Sequence, residues 1–214
     1  MEIRKKEISP DRLKPVSDDP LSLPFGKTFT DYMFLLDYTE DHGWSNARIE
    51  PYGPLSLDPA SVVLHYSQEV FEGLKAFISP EEEILLFRPK ENAARMNRSL
   101  KRLCMPEIPE EIFMEGLTEL VRLEKRWIPN VKGSALYIRP FVIATEPGLG
   151  VRAAKEYLFS IILSPVGPYY KTGFNPISLY VTDQYVRACK GGTGDAKVGG
   201  NYAASLLAGN EAQK

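Results

Sequence analysis

Apolar and polar residues alternate in several short runs of the chain, then recur every three or four positions in two longer ones. The short runs predict strands. FTDYMFLLDY (29–38) is the first, followed by a turn-like TEDHGWSN (39–46). ARIEPYG (47–53) and SVVLHYS (61–67) read as further strands, and FEGLKAFI with EEILLFRP as a hairpin turned around Pro80. The spacing predicts an antiparallel meander.

Helical periodicity then takes over. Residues 91–104 carry Met96, Leu100 and Leu103 on one side. Residues 109–128 open on Pro109 and two acids, the first-turn chemistry a helix favours, and place Phe113, Leu117, Leu120 and Val121 in one stripe assigned to the core. Strand patterns return at 134–145 and 156–164, separated by the turn-rich EPGLGV. PVGPYYKTGFNP (165–176) has the prolines and glycines of a linker. ISLYVTD (177–183) predicts a new strand, and YAASLLAGNEAQK begins a helix. The first ~20 residues, with three prolines, read as a polar arm lying on the surface.

The resulting fold class is α+β. The expected division is a small α/β domain over 1–164, a linker over 165–176, and the beginning of a second, larger domain over 177–214. A unit of ~40 residues is too small for a core of its own. It therefore either packs on the first domain or continues beyond the sequence given, and the second reading is preferred.

Composition narrows the function. The 214 residues are 43% hydrophobic and 25% charged, with a net charge of −2. Nothing in that balance supplies the basic excess that binds nucleic-acid phosphates. No stretch reads as a secretory signal or a membrane span, so a cytoplasmic protein without nucleic-acid or membrane partners is expected. Cys104 and Cys189 are too few for a disulfide framework and are expected as buried thiols. His42 and His65 are isolated, and no metal site is expected.

The distinctive stretch is GGTGDAKVGGNY (191–202), in which five glycines surround Lys197. A phosphate loop of the G-x-x-x-x-G-K-[ST] kind fails, because Ala196 precedes the lysine and Val198 follows it. A dinucleotide fingerprint fails because Lys197 occupies the third glycine position. Two readings stay open: a solvated loop lysine, or an amine that condenses with a carbonyl carbon. The second requires surroundings that favour the neutral amine, and space for a flat cofactor beside the backbone, which glycines leave. Pyridoxal phosphate also needs a cation for its phosphate, a hydroxyl for its ring oxygen and a carboxylate for its ring nitrogen. Tyr202 is a candidate for the hydroxyl. Arg95, near the start of a helix, is a candidate for the cation, or else a surface helix arginine.

These residues sit in blocks that resemble the branched-chain amino acid aminotransferases, pyridoxal-phosphate enzymes of fold type IV. The blocks, in order, are PFGKTFTDYMF, LHYSQEVFEGLKAF, LFRPKENAARMNRSLKRLCMP, LYIRPFVIATEPGLGV, SPVGPYY and GGTGDAKVGGNYAAS. The resemblance runs from about residue 20 to the C-terminus. It implies a two-domain fold, with a small antiparallel-sheet-plus-helices domain followed by the start of a larger pseudo-barrel domain. It also implies pyridoxal 5'-phosphate held covalently by Lys197, its ring oxygen met by Tyr202, and its phosphate bound by Arg95 with Arg187 behind. Phe25, Tyr66, Phe71, Tyr137, Arg139 and Tyr169 would form the substrate pocket, although Tyr66, Phe71 and Tyr137 also suit ordinary sheet core. The implied reaction exchanges an amino group between Leu, Ile or Val and 2-oxoglutarate, in a homodimer. A D-amino acid aminotransferase, an aminodeoxychorismate lyase and a cofactor-free binding fragment are the alternatives. The family's carboxylate for the ring nitrogen lies downstream of Lys214, so the piece given is expected to be incomplete and inactive alone.

Overall fold

The computed structural model describes residues 2–170, 173 and 175–213. Its strands are β1 (Arg4–Lys5), β2 (Tyr32–Thr39), β3 (Gly43–Pro51), β4 (Glu69–Phe71), β5 (Leu74–Ile78), β6 (Ile84–Leu86), β7 (Ala135–Ala144) and β8 (Glu156–Val166). The helices are α1 (Val62–Tyr66), α2 (Pro89–Arg102), α3 (Glu110–Leu123), α4 (Gly199–Ala203) and α5 (Leu206–Ala212). One sheet has the order β1-β3-β2-β8-β7-β5-β6, with β4 also paired to β7.

β2 pairs antiparallel with β3 across the turn that joins them, and the predicted hairpin forms, β5 with β6. A simple meander does not. β2 takes β8 as its second neighbour, with Phe34 opposite Ile161, so the central strands come last in sequence. β8 is buried along nearly its whole length, which is why it occupies the middle of the sheet. The N-terminal arm is also more than a drape. Arg4 and Lys5 add a parallel strand to β3. Lys14 Nζ donates to the carbonyls of Phe29 (3.2 Å) and Thr30 (2.7 Å).

β7 sets the two faces. Leu136, Ile138 and Val142 point to one side and are fully buried, while Tyr137, Arg139 and Phe141 between them point to the other. On the first side, Phe34, Leu36, Phe159 and Ile161 meet Met96, Leu100, Phe113, Leu117 and Leu120 of α2 and α3 in the main core. The helical stripe predicted for α3 is therefore core. A second, smaller cluster of Met33, Leu35 and Leu158 lies on the opposite face.

Pro140 stands within β7 and has no N–H to give. β4 and β5 lie along the same edge of β7, and the break between them, Glu72–Gly73, falls opposite this proline. The Pro140 carbonyl still accepts from the Glu72 N–H at 2.8 Å.

Three expectations are corrected. Residues 61–67 form a helical turn, α1, instead of a strand. Ser67 adopts a left-handed conformation (φ 50°) and donates its N–H to the Val63 carbonyl, closing the turn, and seven residues with a contiguous Val62, Val63 and Leu64 fit one turn as well as a strand. Residues 177–183 form no strand. Leu179 and Val181 are 81% and 89% exposed, and an extended segment without a neighbour to pair with gains no ladder. Cys104 and Cys189 are exposed, not buried. Cys104 follows the end of α2 with φ 53°, where the chain turns away from the core. Part of the expected linker, Lys171, Thr172 and Phe174, lies outside the described residues.

Candidate active site

Lys197 is set by its neighbours. Ala196 and Val198 are buried in the main core, so the alternating chain turns the lysine side chain outward. Asn201, itself buried, ties the loop from inside: its Nδ2 donates to the carbonyls of Thr193 (2.7 Å) and Ala196 (2.8 Å). Gly191 has φ +77°, a conformation that favours glycine, where the loop reverses. The Phe71 N–H donates to the Lys197 carbonyl at 3.0 Å, and the Lys197 N–H donates to Ser99 Oγ at 2.9 Å. The backbone of the lysine is thus held from β4 and from α2.

The amine lies among aromatic rings. Lys197 Nζ donates to the Tyr202 hydroxyl at 2.6 Å. It stands 4.2 Å from the centre of the Phe71 ring and 4.9 Å from that of Tyr202, and the two ring centres are 4.9 Å apart. The Arg187 guanidinium lies 5.6 Å from the Tyr202 ring. The sequence motif therefore brings Lys197, Tyr202 and Arg187 into one group, with Phe71 as its floor.

Phe71 joins this group to a second. Arg139 lies 4.7 Å over the Phe71 ring and donates from Nη2 to the Tyr137 hydroxyl at 2.9 Å. Phe25 packs edge-on against Tyr137 at 4.8 Å and Tyr169 at 6.1 Å. A cavity of about 300 Å³ opens between Phe25, Phe29, Tyr137, Arg139, Ile162 and Ser164. Two of its lining groups, Arg139 Nε and Ser164 Oγ, are buried without a hydrogen-bond partner among the described residues. Such groups carry a desolvation cost that a polar ligand relieves.

Arg95 projects from α2 and is paired with Glu72. Its Nε and Nη2 donate to the two carboxylate oxygens at 2.6 and 2.8 Å. Glu72 is fully buried, and Arg95 remains 46% exposed. The hydrogen bonds Arg95 donates to Glu72 hold the guanidinium proton more firmly than usual. Its remaining N–H groups are free of Glu72 and border an open recess of about 310 Å³ with Arg88, Asn92 and Arg98.

Among the described residues, Tyr66 shares no hydrogen bond or ring contact with the other predicted site residues. Its hydroxyl donates to the Leu149 carbonyl at 2.5 Å, tying α1 to the 146–151 turn.

Sequence reasoning missed Glu69, Glu72, Ser99 and Asn201. An acid in a strand pattern reads as a solvated position, and a serine in a helix as neutral filler. The available signal was Glu72 beside Gly73: a Cβ at residue 73 would come within 2.2 Å of the Tyr137 hydroxyl, so the chain passes close to the site there.

No family model matches the chain. The chain is 56% identical over 206 residues to branched-chain-amino-acid aminotransferase 2 of Bacillus subtilis (strain 168), covering 96% of this chain and 56% of that protein. It is 56% identical over 185 residues to the branched-chain-amino-acid aminotransferase of Mycolicibacterium smegmatis, covering 86% and 50%. The chain thus spans about half the length of the curated relatives it matches. Among solved structures, the T.th. branched-chain amino acid aminotransferase with pyridoxamine 5'-phosphate superposes with a TM-score of 0.58 at 26% identity, over 82% of this chain and 54% of that one. The Escherichia coli branched-chain amino acid aminotransferase shares the fold, with a TM-score of 0.57 at 24% identity, over 86% and 55%. The α+β class expected from the sequence is the one observed, and by sequence and fold together the chain belongs to the branched-chain-amino-acid aminotransferases.

Proposed function

We propose that this chain carries the lysine-bearing part of a pyridoxal-phosphate site that transfers the amino group of Leu, Ile or Val to 2-oxoglutarate. The observation that carries the reading is the Lys197 amine, 2.6 Å from the Tyr202 hydroxyl and seated over the Phe71 ring. The donor set suits the cofactor: an amine, a phenol beside it, and a guanidinium held out from a helix. The unpartnered Arg139 Nε adds a cation with unused capacity at the rim of the adjoining cavity.

In this reading Lys197 holds the cofactor, Tyr202 meets its ring oxygen, and Arg95 takes its phosphate with Arg187 nearby. Bound there, pyridoxal phosphate supplies the electrophilic carbon and the ring that delocalises the electron pair left when the substrate loses its α-proton. Lys197 Nζ takes that proton and returns it, acting as base and then as acid. The Tyr202 hydroxyl fixes where Nζ rests between the two transfers. Phe25, Phe71, Tyr137 and Tyr169 wall off water and take an apolar side chain, with Tyr66 contributing from the α1 side. Arg139, steadied by the Tyr137 hydroxyl, takes a carboxylate, which allows one pocket to accept both a branched and an acidic substrate. The homodimer implied by the resemblance belongs to this proposal.

The test is reduction with borohydride in the presence of pyridoxal phosphate, followed by peptide mass analysis. A cofactor adduct on Lys197 supports the reading. An adduct confined to other lysines, or none, overturns it.

A further inference from the structure

Glu69 is an acid held against the lysine loop from β4, and nothing in the proposed chemistry uses it. It begins β4, two residues before the Phe71 that supports the amine. Its carboxylate accepts the N–H of Gly199, two residues beyond Lys197. The carboxylate is largely withdrawn from solvent, and burial pushes its pKa above the usual range. The Gly199 N–H and the charges of Arg139 and Lys197 offset part of that rise. A half-buried acid set against a backbone amide and two cations is costly to keep there unless those partners are fixed.

Gly199 shows how close the contact is. Its φ lies outside the left-handed range, so backbone conformation does not demand glycine. A Cβ at that position would come within 2.2 Å of Glu69 Oε1. A side chain at 199 would therefore have to displace the carboxylate. The lysine is then gripped at three successive points: its N–H by Ser99 Oγ, its carbonyl by the Phe71 N–H, and the Gly199 N–H by Glu69. Two of the three grips come from β4. The next residue of that segment, Glu72, orients Arg95.

We infer that Glu69 is a positioning residue, whose carboxylate fixes the loop after Lys197 and so sets where the amine stands relative to Phe71 and Tyr202. The inference deepens the proposed lysine site and rests on it. It assigns Glu69 no contact with substrate or cofactor. A Gln at 69 keeps an acceptor oxygen and preserves the grip, whereas a Leu of similar length removes it. Gly199→Ala displaces the carboxylate and reproduces the Leu effect from the other partner.

The experiment measures amide hydrogen exchange of the 191–202 segment in the cofactor-free protein, alongside the thermal midpoint. Borohydride trapping of pyridoxal phosphate on Lys197 is the second readout. Glu69→Leu and Gly199→Ala should each speed exchange in that segment on the order of tenfold, the effect of losing one hydrogen bond to a charged group. Exchange in β7 and β8 should stay at the wild-type rate. The double variant should be no faster than either single one, and Glu69→Gln should remain within about threefold of wild type. Ser99→Ala, which releases the lysine N–H instead, should loosen the same segment if Glu69→Leu proves too unstable to purify. Trapping should slow in step with exchange. Unchanged exchange in Glu69→Leu and Gly199→Ala, or acceleration spread evenly over the whole chain, overturns the inference. Failure of the wild-type protein to trap the cofactor at Lys197 instead overturns the functional reading, and leaves the exchange result to decide the role of Glu69.

Discussion

Glu72 is wholly buried, yet both of its carboxylate oxygens are spent on Arg95, a residue that keeps nearly half of its surface in solvent. The pair is therefore unequal. Removing Glu72 leaves an arginine that water can solvate. Removing Arg95 leaves a carboxylate inside the protein with only the Gly73 N–H and the Asn92 amide for support. Arg95→Met should cost about 3 kcal/mol in urea unfolding and Glu72→Gln about 1 kcal/mol. Equal losses would mean that the recess beside Arg95 already hydrates Glu72.

Tyr202→Phe separates the ring from its hydroxyl. The Phe71 contact at 4.9 Å is retained, and the 2.6 Å hydrogen bond to Lys197 is lost. Turnover should fall roughly 10- to 100-fold, in line with the loss of a positioned proton-handling group. The thermal midpoint should stay nearly unchanged. Steady-state kinetics of the complete enzyme, with a parallel melting curve, checks both halves.

Gly73→Ala tests the approach of β5 to the pocket. The new Cβ would press on the Tyr137 hydroxyl, which accepts from Arg139. Displacing it should raise KM for the acidic substrate several-fold more than KM for a branched one, since only the former needs Arg139 held in place. A uniform change in both would argue against that role.

Gly116→Ala addresses stability alone. Ala is the better helix former by about 1 kcal/mol, so an exposed site would gain. Gly116 is instead buried in α3 with the Phe34 ring where its Cβ would stand, at 2.8–3.0 Å. Phe34 lies deep in the core and has little room to give, so overpacking outweighs propensity. A net loss of about 1–2 kcal/mol in denaturant unfolding is expected.

Glu124 gives the protein a pH dependence. It follows α3 and is almost fully buried, and burial pushes its carboxyl up to about 7 from 4.5, against the opposing hydrogen bonds from the Tyr32 N–H and Thr30. Between those two values the unfolded chain has lost this proton and the folded chain keeps it. Stability from this group is therefore full below about pH 4.5 and declines as pH rises toward 7. Glu124→Gln removes the titration while keeping an acceptor for Tyr32. The variant should match wild type near pH 4 and be the more stable of the two at pH 8, by about 3 kcal/mol at most. Urea midpoints of both proteins across that range give the difference directly.

Periodicity made the layers legible. The stripe of Phe113, Leu117, Leu120 and Val121 is buried as read, and the strands at 134–145 and 156–164 are the long central pair. Short segments were less readable, because a run such as 61–67 has too few residues for its period to exclude a single helical turn. Residues 177–183 have the composition of a strand, but pairing is a property of a neighbour and is not written in the segment. At the site, the lysine loop stood out by its glycines, whereas its supports did not. Glu69, Glu72 and Ser99 are ordinary residue types, and their roles come from contacts with residues far along the chain.

The alternation of β7 has a further consequence. Residues 136, 138 and 142 are committed to the interior, while 137 and 139, with Ile162 and Ser164 across the ladder, face the cavity. In the proposed reading, recognition is written on the side of these strands that faces away from the main core. Selectivity can drift under selection, or be redesigned, at the cavity positions while the residues that keep the sheet attached to its helices stay untouched.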